Sequence, residues 1–356
     1  MKPQIFLKSS LHFVLIYSGA LAFGLVAHWM RFPLPWMIGA LVFASTVRLA
    51  DRPLRVPAQT RQIGQVLVAT SVGLSFTPEA VGAMKTLVVP MLGTAIVTIF
   101  LGFVVAAFLM RVSRVDVVTA VLASIPMGPV ESANLAAKYD VRPGPVVFAQ
   151  TLRIMLLVIL IPPAIVALDG TVNDPVAALS RMDWTVSGAI LLAVTGILGA
   201  LLARCVGLAN PFFVGSLGGA ACAAAFSLPI TAYPYPLLVL AQIFLGVWLG
   251  AVFDRELMRS AGAFIPGAVL ASLLLIALCI GMGVGLTWIT GETWQVMLLS
   301  TAPGSVTEMA LTAKILEDGL AVVTAFHVVR IFIILPLAGS IIGLTVRVTD
   351  RWGLQR

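Results

Sequence analysis

Long apolar runs dominate this chain, and short polar or proline-containing stretches separate them. A bilayer core about 30 Å thick needs roughly 20 helical residues, and ten of the runs approach that length. In the first half the predicted spans cover residues 11–30, 34–50, 62–77, 86–110 and 145–167. In the second half they cover residues 184–206, 211–230, 235–253, 264–289 and 320–346. Continuous runs favour helices over the weakly alternating strands of outer-membrane barrels.

Composition supports an integral membrane protein. Of the 356 residues, 60% are hydrophobic and only 10% are charged, whereas a soluble domain carries about 25% charged residues. The net charge of +7 does not require nucleic acid, because Lys and Arg accumulate on the cytoplasmic loops of membrane proteins. We therefore expect the lipid bilayer as a partner and no direct binding of nucleic acid.

The two halves of the chain resemble each other. QVLVATSVGLSF (65–76) matches QIFLGVWLGAVF (242–253), so a shift of 177 pairs Gln65 with Gln242. The same shift pairs Glu131 with Glu308 and Arg153 with Arg330. Polar positions that recur at one offset within apolar sequence indicate an internal duplication. We predict a first membrane repeat (1–168), an external connector (169–183) and a second membrane repeat (184–356).

Each predicted repeat contains a segment that is too short to cross the bilayer. Apolar residues 117–125 or 294–302 lead to a Pro/Gly break and then to a mildly polar helix. If both segments re-enter the membrane and leave on the same side, sixteen Lys and Arg residues fall inside and four outside; full crossing gives twelve against eight. The positive-inside rule favours the re-entrant hairpins. Five crossings per half then make the repeats inverted, in an inner membrane with both termini cytoplasmic.

The hairpin breaks are the first candidate binding site. Paired Pro/Gly-interrupted segments at equivalent positions of inverted repeats mark the binding sites of transporters. Ser305 is placed to cap a half-helix with Glu308 third, and Gly128 takes the cap position before Pro129 and Glu131. The two glutamates either satisfy the half-helix N-termini or couple transport to protons or cations. Both roles are compatible.

The last span of each half carries a second set of polar residues. A buried arginine needs a partner or a cavity, so Arg153 and Arg330 are expected to pair with a hairpin glutamate. The alternative is direct contact with a substrate carboxylate. Gln150 and His327 lie one turn earlier, and His327 is either a satisfied core residue or a proton carrier.

Gln65 and Gln242 open the third spans and precede small residues four apart. Such stripes let helices pack closely, although the glutamines are also candidates to donate to a ligand. The complete set of predicted substrate- or ion-binding residues is Gln65, Gln242, Ser124, Pro126, Gly128, Glu131, Gln150, Arg153, Pro303, Gly304, Ser305, Thr307, Glu308, His327 and Arg330.

The sequence contains few residues suited to metal or nucleotide chemistry. Its three histidines are scattered, its three cysteines lie in apolar runs, and it has no phosphate-binding G-x-x-x-x-G-K-[ST] loop. We therefore expect no metal, no cofactor, no catalytic residue and no ATP-driven pump within this chain.

Several motifs resemble those of the AbrB family of duplicated bacterial membrane proteins. They are PWMIGAL, the paired Q-x3-small-x3-G-x2-F segments, and P-G-x-x-x-E-M-A-L-T-A-K with a later H-x2-R. The resemblance implies a regulator of gene expression. The family is also sometimes labelled ammonia monooxygenase, which no metal-ligand set here supports.

We predict an all-α polytopic membrane protein with two inverted-topology repeats, each of about five transmembrane helices plus a re-entrant or broken helix hairpin. The expected function is secondary transport of a small polar or carboxylate metabolite, with proton coupling through Glu131 and Glu308. The alternative is a membrane-embedded sensor that affects gene expression. A homo-oligomer is compatible with either function.

Overall fold

The computed structural model describes residues 3–169, 183–208, 210–253, 255–316 and 319–352, and no strand occurs among them. The helices of the first half are α1 (Pro3–Trp29), α2 (Pro35–Leu49), α3 (Ala58–Gly73), α4 (Pro78–Met84), α5 (Val88–Ser113), α6 (Val117–Ser124), α7 (Pro129–Lys138) and α8 (Pro143–Asp169). Those of the second half are α9 (Val186–Cys205), α10 (Pro211–Ala225), α11 (Tyr235–Gly250), α12 (Arg255–Ala261), α13 (Phe264–Thr290), α14 (Trp294–Thr301), α15 (Val306–Leu316) and α16 (Leu320–Trp352).

Each of the ten predicted spans overlaps one helix. Five described helical segments are long and apolar enough to cross a membrane: Pro78–Ser113, Pro143–Leu168, Val186–Cys205, Phe264–Thr290 and Leu320–Thr349. The chain is therefore an all-helical polytopic membrane protein, as predicted.

Outside the predicted spans, the structure adds two short helices, and it does not describe most of the predicted connector. The short helices α4 and α12 were not predicted, and they occupy stretches that the hydrophobic pattern leaves as loops. Almost all of the predicted connector, 169–183, lies outside the described residues. The inverted orientation of the two repeats stays a prediction.

The helices form two compact units, and each unit takes helices from both halves of the sequence. Residues 1–78 and 162–255 form unit 1, and residues 79–161 and 256–356 form unit 2. The boundary within α8 falls at Pro162, the first of two adjacent prolines in that helix. Unit 1 contains the first three spans of each half, and unit 2 contains both hairpins with the spans that flank them.

Small residues bring the helices of unit 1 into close contact. A Cβ at Gly246 would collide with the backbone of Met37 on α2, and one at Gly250 with that of Leu41. Gly73 on α3 lies equally close to Ala220 on α10. The predicted packing role of these stripes is confirmed. In a membrane, where lipid is as apolar as a side chain, such close packing holds helices together.

Unit 2 surrounds the two hairpins with long helices. α5 packs against α13 and α16, and α6, the first arm of the first hairpin, lies against α5. α14, the first arm of the second hairpin, packs against α13 and α16. This arrangement encloses the two helix breaks in protein, where irregular backbone needs partners for its polar groups.

Candidate functional site around two helix breaks

Both hairpins are interrupted where the sequence predicts. α6 ends at Ser124 and α7 begins at Pro129, while α14 ends at Thr301 and α15 begins at Val306. The backbone between the arms is extended, with ψ of 125° at Ile125 and 131° at Ala302. Proline cannot continue the hydrogen-bond ladder of the preceding arm, so the last carbonyls of α6 and α14 lack intrahelical partners.

The arms that follow the breaks start as half-helices with an acidic first turn. Gly128 is the N-cap of α7, Pro129 takes the first helical position, and Glu131 lies in the first turn. In the second hairpin, Ser305 Oγ accepts a hydrogen bond from the backbone N–H of Thr307 at 3.3 Å. Glu308 lies in the first turn of α15 and is only 8% exposed, whereas Glu131 is half-buried.

Arg153 on α8 donates hydrogen bonds to the backbone of both hairpins. Its Nη1 donates to the carbonyls of Ala123 and Ser124, at 3.3 and 3.2 Å, at the end of α6. Its Nε donates to the carbonyl of Pro303 at 3.0 Å, in the break of the other hairpin. Nη2 donates to Oε1 of Gln150. The side chain is 2% exposed, and it therefore ties both breaks together.

Arg330 repeats part of this pattern in the second hairpin. Its Nη1 donates to the carbonyl of Ala302 at 2.7 Å, and its Nη2 donates to that of Gly304 at 2.6 Å. Nη2 also contacts Nδ1 of His327 at 2.6 Å. All these acceptors belong to the second half, so Arg330 serves one break only.

Gln150 and His327 each contact both a hairpin carbonyl and the arginine three residues later, one through an amide and the other through an imidazole. Gln150 Nε2 donates to the carbonyls of Leu122 and Ile125, at 2.7 and 2.9 Å, while its Oε1 accepts from Arg153. His327 Nε2 lies 2.8 Å from the carbonyl of Leu299, and its Nδ1 faces Arg330. A carbonyl can only accept and a guanidinium can only donate. In this arrangement His327 is a neutral imidazole with its proton on Nε2, which fits the satisfied core residue of the two predicted roles; the role of proton carrier stays a prediction.

The predicted ion pairs between the arginines and the hairpin glutamates are wrong. Within the described residues, every hydrogen bond of Arg153 and Arg330 goes to a backbone carbonyl or to a neutral side chain. The physical reason is that a helix break places several unpaired carbonyls together, which suits a flat guanidinium with five N–H donors. The sequence shows charged side chains but gives no direct sign of unpaired carbonyls.

Sequence comparison supplies the family. The family model described as "Transition state regulatory protein AbrB" matches residues 36–345. The chain belongs to the AbrB family.

Two curated relatives cover nearly all of this AbrB family member. The "Uncharacterized protein YhjN" of Bacillus subtilis (strain 168) is 23% identical over 365 residues, 95% of this chain and 93% of the relative. The "Putative regulator AbrB" of Escherichia coli (strain K12) is 23% identical over 326 residues, 90% of this chain and 92% of the relative.

The structure brings most of the predicted site residues of this AbrB protein together in unit 2. The hairpin breaks, Gln150, Arg153, His327 and Arg330 form one hydrogen-bonded cluster. Gln65 and Gln242 belong to unit 1 instead, where they are 6% and 1% exposed. The side-chain amide of Gln242 makes no hydrogen bond with any described residue.

Among the described residues, no group of three or more His, Cys, Asp or Glu side chains could hold a metal ion. Sequence reasoning missed the carbonyls of Ala123, Ala302 and Gly304 as the partners of the arginines. The detectable signal was a helix end before a proline, which always frees carbonyls.

Proposed function

We propose that this AbrB family protein is a secondary transporter for a small polar or carboxylate-bearing metabolite in the bacterial inner membrane. The two breaks would form the binding region, within inverted repeats whose termini face the cytoplasm. The observation that supports this proposal is a pair of buried guanidiniums, Arg153 and Arg330, bound to the unwound backbone of two hairpins without a paired carboxylate among the described residues.

Charge explains why a carboxylate-bearing solute fits this region. Hydrogen bonds to carbonyls stabilise a guanidinium but leave its net charge in place. The half-helices α7 and α15 also direct the positive ends of their dipoles towards the breaks. Glu131 and Glu308 offset part of this potential. A solute with one carboxylate would complete the compensation.

Glu308 is the residue that we propose for proton coupling. It is the more buried of the two hairpin glutamates, and a carboxylate at membrane depth is costly unless it has a function. Protonation would remove its negative charge when the anionic solute binds, because the two negative charges compete for the same positive potential, so that proton and solute movement would be linked.

Flux measurements test this proposal. Purified protein in liposomes would be screened with radiolabelled monocarboxylates, dicarboxylates and neutral polar metabolites under an imposed pH gradient. We expect accumulation of at least one solute, loss of gradient-driven accumulation in Glu308→Gln, and retention of solute exchange. Glu256→Gln changes an exposed glutamate of the same unit and should behave as wild type. Folded protein that moves no solute of the panel would contradict the proposal.

The competing function is a membrane-embedded regulator, which the name of the Escherichia coli relative favours. That function predicts no solute flux. It predicts instead a cytoplasmic partner on the basic segment 48–61, which contains four arginines. Charge reversal in this segment would then abolish regulation, whereas a transporter would keep its flux.

A further inference from the structure

A small pocket lies beside the first hairpin break in unit 2. It is lined by residues of α5, α6, α8 and α13. Alanines 123, 149 and 271 form part of the wall, so the neighbouring polar groups are not covered by larger side chains. Pockets for organic ligands usually measure about 300–1,000 Å³. The free interior corresponds to about one water molecule, which limits an occupant to a very small species.

Three polar side chains line this pocket, and two of them have unused hydrogen-bonding capacity. Ser124 is 3% exposed, and its Oγ makes no hydrogen bond with a described residue. Ser272 on α13 is 6% exposed, and no described residue bonds to its hydroxyl either. A buried hydroxyl without a partner costs about 1–3 kcal/mol, so an occupant that accepts hydrogen bonds would be stabilised here.

The third polar side chain sets the charge that the pocket prefers. Arg153 is the charged residue of the lining, and four of its five N–H groups are already bonded to neutral acceptors. One Nη2–H remains. No described acidic side chain lines the pocket. A cation would face the guanidinium without compensation, whereas an anion would gain from it and from two hydroxyl donors.

We propose that this pocket binds one small anion, with Ser124, Ser272 and Arg153 as its ligands. The free interior admits a monatomic anion, so the proposed occupant is chloride or an inorganic ion of similar size. Because it concerns binding and not movement, this inference stands independently of the proposed transport function.

The equivalent positions of the second hairpin carry different side chains. At the offset of 177, Thr301 takes the place of Ser124, and its hydroxyl bonds to the carbonyls of Cys279 and Met297, both at 2.9 Å. The bulkier Phe326, which is 1% exposed, takes the place of Ala149. The proposed ligand set therefore does not recur at this offset.

Anion-dependent thermal stability tests the proposal. The melting temperature of the full chain in nanodiscs would be compared in sodium chloride, sodium formate and sodium gluconate at equal ionic strength. Formate and gluconate are too large for the pocket and are the references. We expect chloride to raise the melting temperature above both references by about 2–4 °C, as an anion at several times its Kd would do.

Two serine variants separate the pocket from general salt effects. Ser272→Ala should abolish the anion-dependent rise. Ser300→Ala should keep it, because Ser300 is equally buried, at 3%, with a hydroxyl that bonds to no described residue, but it does not line the pocket. If Ser272→Ala gives no folded protein, Ser124→Ala serves the same purpose. The absence of any rise in wild type, or an equal rise in Ser272→Ala, would overturn the proposal. Solute flux that persists in that case would leave the transport function intact.

Discussion

The two hairpin breaks are built alike but supported unequally. In each half, an arginine of the last span bonds the carbonyls that a helix end leaves free, and a neutral side chain three residues earlier steadies that arginine. Arg153 also reaches the carbonyl of Pro303, whereas Arg330 has no bond to the first hairpin. The difference indicates that an arginine of the first half links the two breaks. The second break depends on two arginines and the first on one.

The two arginines also differ in the number of N–H groups that make no hydrogen bond to a described residue. Arg153 has one N–H left after its bonds to described residues, and Arg330 has two, one of them on Nε. A solute carboxylate would therefore meet more unused hydrogen-bond donors at Arg330. On the proposed transport function, contact with the solute would fall more to Arg330 and support of the two breaks more to Arg153, although the sequence alone presents the two arginines as equal partners.

The largest expected effect comes from removing the arginines. Arg153→Met leaves three hairpin carbonyls and Oε1 of Gln150 without a donor, and we expect it to cost roughly 3–5 kcal/mol. Arg330→Met leaves two hairpin carbonyls and Nδ1 of His327, and its cost should be about 1 kcal/mol smaller. Thermal melting in detergent measures both, at about 2–4 °C per kcal/mol.

A matched control for these variants is Arg259→Met, which removes an exposed arginine of the same unit and should leave the melting temperature nearly unchanged. Equal losses for Arg153→Met and Arg330→Met would show that the bond to Pro303 adds nothing. The asymmetry between the two breaks would then make no difference to the stability of the protein.

A smaller effect is expected from exchanging the neutral partners. His327→Gln keeps a donor for Leu299 and an acceptor for Arg330, as Gln150 does in the first half, so stability should stay within about 1 kcal/mol. His327→Leu removes both groups and should cost about 2 kcal/mol. Melting temperatures of the two variants give the comparison.

Solute flux adds a second test of His327. If His327 stays neutral throughout transport, then His327→Gln should retain the pH profile of wild-type transport. A flattened profile in that variant, with its melting temperature intact, would restore the role of proton carrier.

Helices and breaks were predictable from the sequence because their signals are local. Apolar runs long enough for a bilayer and Pro/Gly pairs at Pro126–Gly128 and Pro303–Gly304 mark them directly. The arginine partners were missed although a helix end before a proline signals free carbonyls, because no residue letter shows which side chain those carbonyls bind. Ser272 was missed for another reason. It becomes significant only where α13 encloses the same pocket as α5, α6 and α8 of the first half.

The smallest expected effect concerns the glycines that open the second arms. Gly128 has an ordinary φ of −67°, so alanine is compatible with its backbone. An added Cβ would collide with Oε2 of Glu131, which is the mobile end of a long side chain. At Gly304 the nearest atom to such a Cβ would be Cδ1 of Leu157, at 3.0 Å.

We expect Gly128→Ala to change the free energy of unfolding by less than about 1 kcal/mol, because the reduced freedom of the unfolded chain offsets the displacement of the carboxylate. In a Glu131→Ala background the collision disappears, and the same substitution should then stabilise by about 0.4–1 kcal/mol. A double-mutant cycle from denaturant unfolding isolates this coupling. Gly304→Ala, which contacts Leu157, should show no coupling to Glu131→Ala. An equal effect of Gly128→Ala in both backgrounds would mean that the Glu131 carboxylate does not lie over its own helix cap, and the two second arms would then differ less than the structure indicates.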